Sequence, residues 1–210
     1  MVRDVGKIGT AERMRKLPSG TIRIAAIRIA TSGSNTFMSA EIMSDANRSE
    51  TNLNVSRELP DGFSVREAVP ADSSLLLEWI RNLAEFEGLE DLVTATSEGI
   101  ARDFFERKLS RALFVEHEGS SVGFAVWFYN YSTFAGKPGL FLEDIFIAEE
   151  YRGKGLATGI FAYLERLAAS EGCSRLEWYV LDWNEKAIDF YKKRGGAPHA
   201  NWQIFRKYVG

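Results

Sequence analysis

From Phe63 onward the spacing of apolar and polar residues changes period several times along the chain. Phe63, Val65 and Glu67 alternate with Ser64 and Arg66, the pattern of a short strand. Pro70, Ala71 and Asp72 then open a helix whose apolar positions are Leu75, Leu76, Trp79, Ile80 and Leu83, ending near Gly88 after an acidic run of Glu85, Glu87, Glu90 and Asp91. A second helix is expected over 97–109, with Ile100, Phe104 and Phe105 inward. Strands over 112–118 and 121–130 flank the turn Glu118-Gly119-Ser120, a hairpin. A loop over 131–138 leads to a strand over 140–148 that is apolar on both faces except for Glu143 and Asp144. The amphipathic stretch over 156–170, with Leu156, Ile160, Leu164 and Leu167 at helical spacing, is the next helix. A strand over 174–181, a helix over 184–194 stopped by Gly195-Gly196, and a final strand over 202–208 complete the pattern. The order is β, α, α, β, β, β, α, β, α, β. This predicts a mixed α/β domain whose strands pair first as an antiparallel hairpin and later through a βαβ unit.

The first 60 residues lack this regularity. The stretch 32–57 is rich in Ser, Asn and Thr, and 1–30 is basic and almost free of acids. The expected division is an extension over 1–60, disordered, and one folded domain over 61–210. The basic stretch has the composition of an organellar presequence. A mis-set start, with Met38 or Met43 as the true one, is preferred, so the expected location is cytoplasmic.

Composition narrows the chemistry. A single cysteine, Cys173, permits no internal disulfide, and the two histidines, His117 and His199, are too far apart to suggest a zinc site. No apolar run reaches the roughly 20 residues needed to span a bilayer. The net charge of −3 divides unequally: residues 1–60 hold nine Lys and Arg against six Asp and Glu, and residues 61–210 hold seventeen against twenty-three. An acidic domain argues against nucleic acid and for a cationic partner, although the charges could simply keep the surface soluble.

The segment 140–158 carries the chemistry. A buried strand, Ile145-Phe146-Ile147, runs into Tyr151-Arg152-Gly153-Lys154-Gly155-Leu156-Ala157-Thr158 and then a helix. A helix start offers unpaired N–H groups and a positive dipole end, and glycines allow close backbone approach, so this is a phosphate site. Arg152 and Lys154 add charge suited to a diphosphate. A P-loop would need Gly-x-x-x-x-Gly-Lys-Ser/Thr, which is absent, and a dinucleotide fingerprint would need glycine where Thr158 stands. Arg-x-x-Gly-x-Ala, at Arg152, Gly155 and Ala157, resembles the acetyl-CoA signature of the GNAT acetyltransferases.

Two further blocks extend the resemblance: Leu142-Glu143-Asp144-Ile145-Phe146-Ile147 before the turn, and Trp183-Asn184-Glu185-Lys186-Ala187-Ile188-Asp189-Phe190-Tyr191 after it. In this order they are similar to the diamine acetyltransferases, the spermidine/spermine and thialysine type, over about 63–208. The resemblance implies a GNAT fold, acetyl-CoA as co-substrate with no metal, a small-molecule amine as acceptor and a homodimer. It implies cofactor contacts at Ile145, Phe146, Ile147, Arg152 to Thr158, Asn184, Glu185, Lys186, Ala187 and Tyr191. It implies Tyr191 as proton donor to the leaving thiolate and Glu143 as the amine-side catalytic residue. Phe86, Glu87, Glu143, Glu177, Trp178 and Tyr179 fall at substrate-contacting positions. Asn184 also suits a helix N-cap, Tyr191 a core position, and Glu143 a structural ion pair.

One departure bears on the acceptor. Polyamine-acetylating members carry an acidic pair before the final tryptophan, whereas this chain has Ala197-Pro198-His199-Ala200-Asn201-Trp202. The expected substrate is a diamine, a polyamine or a lysine-like amino acid, with the shorter amines favoured. The alternatives are a protein or unrelated amine acceptor, and a CoA-binding module without turnover.

Overall fold

The computed structural model describes residues 59–199 and 202–209, which fall into two compact units divided between Tyr179 and Val180. The expectations for residues 1–58 lie outside the described residues.

The larger unit is a five-stranded sheet in the order β1-β2-β3-β4-β5. The strands are β1 (Phe63–Glu67), β2 (Arg111–His117), β3 (Ser120–Ser132), β4 (Lys137–Ile147) and β5 (Leu176–Trp178). β1 to β4 are antiparallel neighbours, and β5 joins β4 in parallel after a crossover, as the alternating pattern predicted. The β2–β3 hairpin turns on two residues of positive φ, Glu118 at 52° and Gly119 at 77°. Strand pairing continues to Ser132↔Lys137, which shortens the expected loop over 131–138 to four residues. Tyr131 and Phe134 at this tip are exposed, so no inward-facing period marked the extension in the sequence.

Helix α1 (Ser73–Glu87) covers one face of the sheet. Leu76, Leu77 and Trp79 pack there with Ile100, Phe114, Phe124 and Val126. Its start is tied to the sheet by Arg66, which donates to Asp72 at 2.6 Å and to Glu116 at 2.8 Å. Helix α2 (Ser97–Ile100) continues as a π-helical turn over Ala101–Glu106 and stops before the expected residue 109. Helix α3 (Leu156–Ser170) covers the other face through Leu156, Ile160, Phe161, Tyr163, Leu164 and Leu167. Tyr163 meets Trp127 edge-on at 6.4 Å, and Phe161 meets Trp178 edge-on at 5.1 Å.

Two expectations are corrected here. The strand over 174–181 is only Leu176–Trp178, pairing with Leu140, Leu142 and the residue between them. The segment over 202–208 is not a strand: residues 202–209 have no regular structure and every side chain is exposed. Its apolar content suits a strand, but a strand needs a neighbour to satisfy its backbone, and no described strand pairs with it.

The smaller unit contains helix α4 (Glu185–Lys193). Asn184 caps it, its side-chain oxygen accepting from the Ala187 N–H at 3.2 Å. At the other end Gly195, at φ 84°, donates to the Lys192 carbonyl while Gly196 donates to that of Tyr191, closing the helix as expected.

Candidate active site

The site grows from an irregularity in β4. In the β3–β4 ladder Val126 stands opposite Asp144 and Trp127 opposite Leu142, so Glu143 is an extra residue, a β-bulge. Simple alternation had put Asp144 on the same face as both Leu142 and Phe146. The bulge separates them: Asp144 keeps the α1 face with Phe146, and Leu142 takes the α3 face with Trp127.

The bulge gathers carboxylates. Glu143 and Asp144 on β4 interact electrostatically with each other, and Asp144 also with Glu87 in the last turn of α1. Asp144 keeps some surface exposure, yet desolvation by its surroundings pushes its carboxyl up to about 8, with the charges of Glu143 and Glu87 adding to the shift. Burial also raises Glu87. The described residues contain no group of His, Cys, Asp and Glu side chains arranged to hold a metal ion. What three crowded carboxyl groups can do is accept hydrogen bonds and protons from a cation.

The bulge also marks where β5 leaves β4. β5 pairs with β4 only as far as Leu142↔Trp178. From Glu143 to Ile147 no described strand pairs on that side of β4, the kind of strand edge that an extended ligand can join by backbone hydrogen bonds. Ile145, Phe146 and Ile147 lie on this stretch. Their side chains serve packing: Phe146 joins the α1 core and Ile147 is buried.

Beyond β4 the chain makes a 3₁₀ turn over Glu149–Tyr151 and enters α3 through Gly153 at φ 74° and Gly155 at φ 86°. Only glycine takes such angles without strain, and a Cβ at either position would project into open space. The first intrahelical bond is donated by Gly159, to Gly155. The N–H groups of Leu156, Ala157 and Thr158 therefore have no intrahelical acceptor and open on the positive end of a 15-residue helix. This is an anion cradle, and it fits a diphosphate.

Both cations of the turn rest on aromatic rings. The Arg152 guanidinium lies 4.5 Å from the Phe86 ring and 5.1 Å from the Phe146 ring, and its Nε donates to the Ile147 carbonyl at 2.8 Å. The Lys154 ammonium lies 4.8 Å from the Tyr151 ring and 6.0 Å from Phe63. A cleft of about 600 Å³ opens beside Arg152, bounded by Trp79, Phe86, Phe146, Glu149 and Tyr151 and containing none of the three carboxylates.

The β5 positions divide. Glu177 is engaged in structural contacts, an ion pair with Arg175 at 2.7 Å and a hydrogen bond from Asn130 at 2.9 Å. Trp178 packs on Phe161 under α3. Tyr179 is exposed and meets Phe141 edge-on at 4.9 Å, on the sheet face that Asp144 also occupies. In the smaller unit Asn184 is the helix cap, Glu185 and Lys186 are exposed, and Tyr191 is buried on α4. Burial pushes the Tyr191 phenol up to about 12, which keeps it protonated at neutral pH. Sequence reasoning passed over Asp144; the signal was a second acid in an otherwise apolar strand, but its face depended on the bulge.

Comparison with known proteins now bears on this geometry. Residues 75–196 match the family model described as acetyltransferase (GNAT) family. The chain belongs to the GNAT acetyltransferase family. A thialysine N-epsilon-acetyltransferase of Sus scrofa is 36% identical over 154 residues, covering 68% of this chain and 90% of that protein. The L-ornithine N5-acetyltransferase NATA1 of Arabidopsis thaliana is 28% identical, covering 68% and 82%. Among solved structures, a possible acetyltransferase from Clostridium difficile 630 is similar in fold, with TM-score 0.59 at 19% identity over 71% of this chain and 99% of that one. GNAT membership makes the chain an N-acetyltransferase and implies acetyl-CoA as the donor. Among the described residues no helix is long and apolar enough to cross a membrane.

Proposed function

We propose that this GNAT enzyme acetylates the primary amine of a small cationic molecule: a diamine, a polyamine or a lysine-like amino acid such as thialysine. The observation that carries the reading is the carboxylate cluster of Glu87, Glu143 and Asp144 at the β4 bulge. The thialysine and ornithine acetyltransferases among its relatives, whose named substrates are amino acids with a side-chain amine, support the same class.

The acetyl donor supplies a thioester. Under this reading the N–H groups at the start of α3, with Arg152 and Lys154, hold its diphosphate, and the β4 backbone of Ile145, Phe146 and Ile147, beyond the end of β5, aligns its extended arm. Asn184 to Ala187 make the second cofactor contact. The cluster draws in an ammonium, and Glu143 takes its proton, because a protonated amine has no lone pair with which to attack. The amine nitrogen then bonds to the acetyl carbon, the C–S bond breaks, and Tyr191 gives its proton to the sulfur, while the second proton on the nitrogen passes through solvent to restore the Tyr191 phenol. Burial pushes the phenol up, so Tyr191 still holds its proton when the thiolate forms. Glu87 and Tyr179 are the substrate contacts the geometry favours; Phe86, Glu177 and Trp178 face structural partners. The catalytic domain is 61–210, and the active form is a homodimer.

The experiment is a thiol-release screen with acetyl-CoA against diamines, polyamines, thialysine, ornithine and lysine, with light scattering for the dimer. Turnover is expected with at least one short diamine or side-chain amino acid and weaker turnover with spermine. Tight acetyl-CoA binding with no acetylation of any amine would overturn the reading and leave a binding module.

A further inference from the structure

Phe86 and Glu87 are neighbours on the last turn of α1, and their side chains diverge by about 100°. Glu87 is electrostatically coupled to Asp144 in the carboxylate cluster, whereas Phe86 lies against Phe146, at 5.7 Å between rings, and beneath the guanidinium of Arg152. Arg152 opens the phosphate turn, so one helical turn reaches both halves of the site.

The arrangement around Arg152 fixes its side chain and leaves its fork unused. Nε is spent on the Ile147 carbonyl, and Phe86 and Phe146 hold the guanidinium plane. The four N–H bonds on the two terminal nitrogens have no hydrogen-bond acceptor among the described residues. A free arginine loses considerable rotamer freedom when it grips a phosphate; one already held loses less. Lys154 is held in the same manner on Tyr151 and Phe63, which in turn pack on His117 at 5.5 Å and 4.5 Å, a separate shelf that does not involve Phe86.

Resting on the cofactor reading above, we propose that Phe86 is a positioning residue for the acetyl donor: it preorganises Arg152 to bind the cofactor's phosphate and does not serve chiefly as an amine contact. This reassigns a position that the family resemblance places on the substrate side. Phe86 is 44% exposed, so a leucine there loses the ring's electrostatics with little disturbance of the core.

The test is calorimetric titration of CoA, without amine, into the wild-type chain, Phe86→Leu, Phe86→Tyr, Arg152→Gln and the double variant, each first checked for an unchanged melting profile. Loss of one cation–π contact is expected to weaken CoA binding by about 2- to 30-fold in Phe86→Leu. Phe86→Tyr restores binding, and Phe86→Leu adds nothing in the Arg152→Gln background. CoA affinity indifferent to Phe86→Leu, or fully additive losses in the double variant, would overturn the proposal. Should Phe86→Leu fail to fold, Phe86→Met gives the same comparison. A wild-type chain that binds no CoA would instead overturn the cofactor reading itself, a result distinct from binding that ignores Phe86.

Discussion

Asp144 and Leu142 stand two positions apart on β4 and face opposite sides of the sheet. The extra residue between them, Glu143, reverses the alternation, bringing a carboxyl among apolar side chains under α1. The sign of its effect on stability follows. Asp144 titrates at about 8 in the folded chain and near 3.8 unfolded, so between those values the folded state binds a proton that the unfolded state has lost. Stability from this group is greatest below about pH 4 and declines as pH rises to about 8. The melting temperature of Asp144→Asn should therefore gain on the wild type across that window and run parallel above it. Melting curves in a pH series check this; a constant difference would mean the carboxyl is ionised throughout.

Gly123 makes room for the end of β4. A Cβ there would lie 2.5 Å from Ile147 Cδ1 and 2.6 Å from the Phe146 carbonyl oxygen, and the backbone atom cannot swing away. Gly123→Ala should destabilise the fold by about 1–3 kcal/mol. Urea unfolding measures the loss, and CoA affinity should fall with it because Ile147 also accepts the Arg152 hydrogen bond.

Tyr191→Phe keeps the buried ring and removes the proton. Under the proposed role kcat falls by about 10²- to 10⁴-fold while CoA affinity changes little. Because the phenol is held near 12, activity should show no alkaline limb from this group below about pH 11. Unchanged kcat in the phenylalanine variant would make Tyr191 a packing residue.

Asn184→Ala tests the cap of a nine-residue helix. Loss of the bond to the Ala187 N–H should cost about 0.5–2 kcal/mol and fray the turn proposed to make the second cofactor contact. Asn184→Asp, which keeps the acceptor, should retain most of the stability. Calorimetric melting of the two variants separates capping from any direct cofactor contact.

Much of this was legible because local rules sufficed. The turn at Glu118-Gly119 and the whole of α3, Leu156–Ser170, follow from composition and period alone. The glycine turn into α3 was legible for the same reason: a row of N–H groups without intrahelical acceptors is written in glycines and a helix start. What escaped depended on neighbours distant in sequence. The bulge at Glu143 exists only in relation to Val126 and Trp127. Glu177 and Trp178 lie where the motif put them, but Arg175, Asn130 and Phe161 claim their side chains. The segment 202–209 has the residues of a strand and no described strand to pair with.

The parting of β5 from β4 after Leu142 leaves the described sheet unfinished on one side of an 11-residue strand. Peptide hydrogens of 144–147 that point into that notch should exchange quickly with deuterated water, although they belong to β4. A donor molecule lying in the notch would act as a temporary sixth strand, and its arrival should register as slowed exchange confined to those few amides. Under the proposed function the sheet of the working enzyme would be completed by its own reagent and reopened with each turnover.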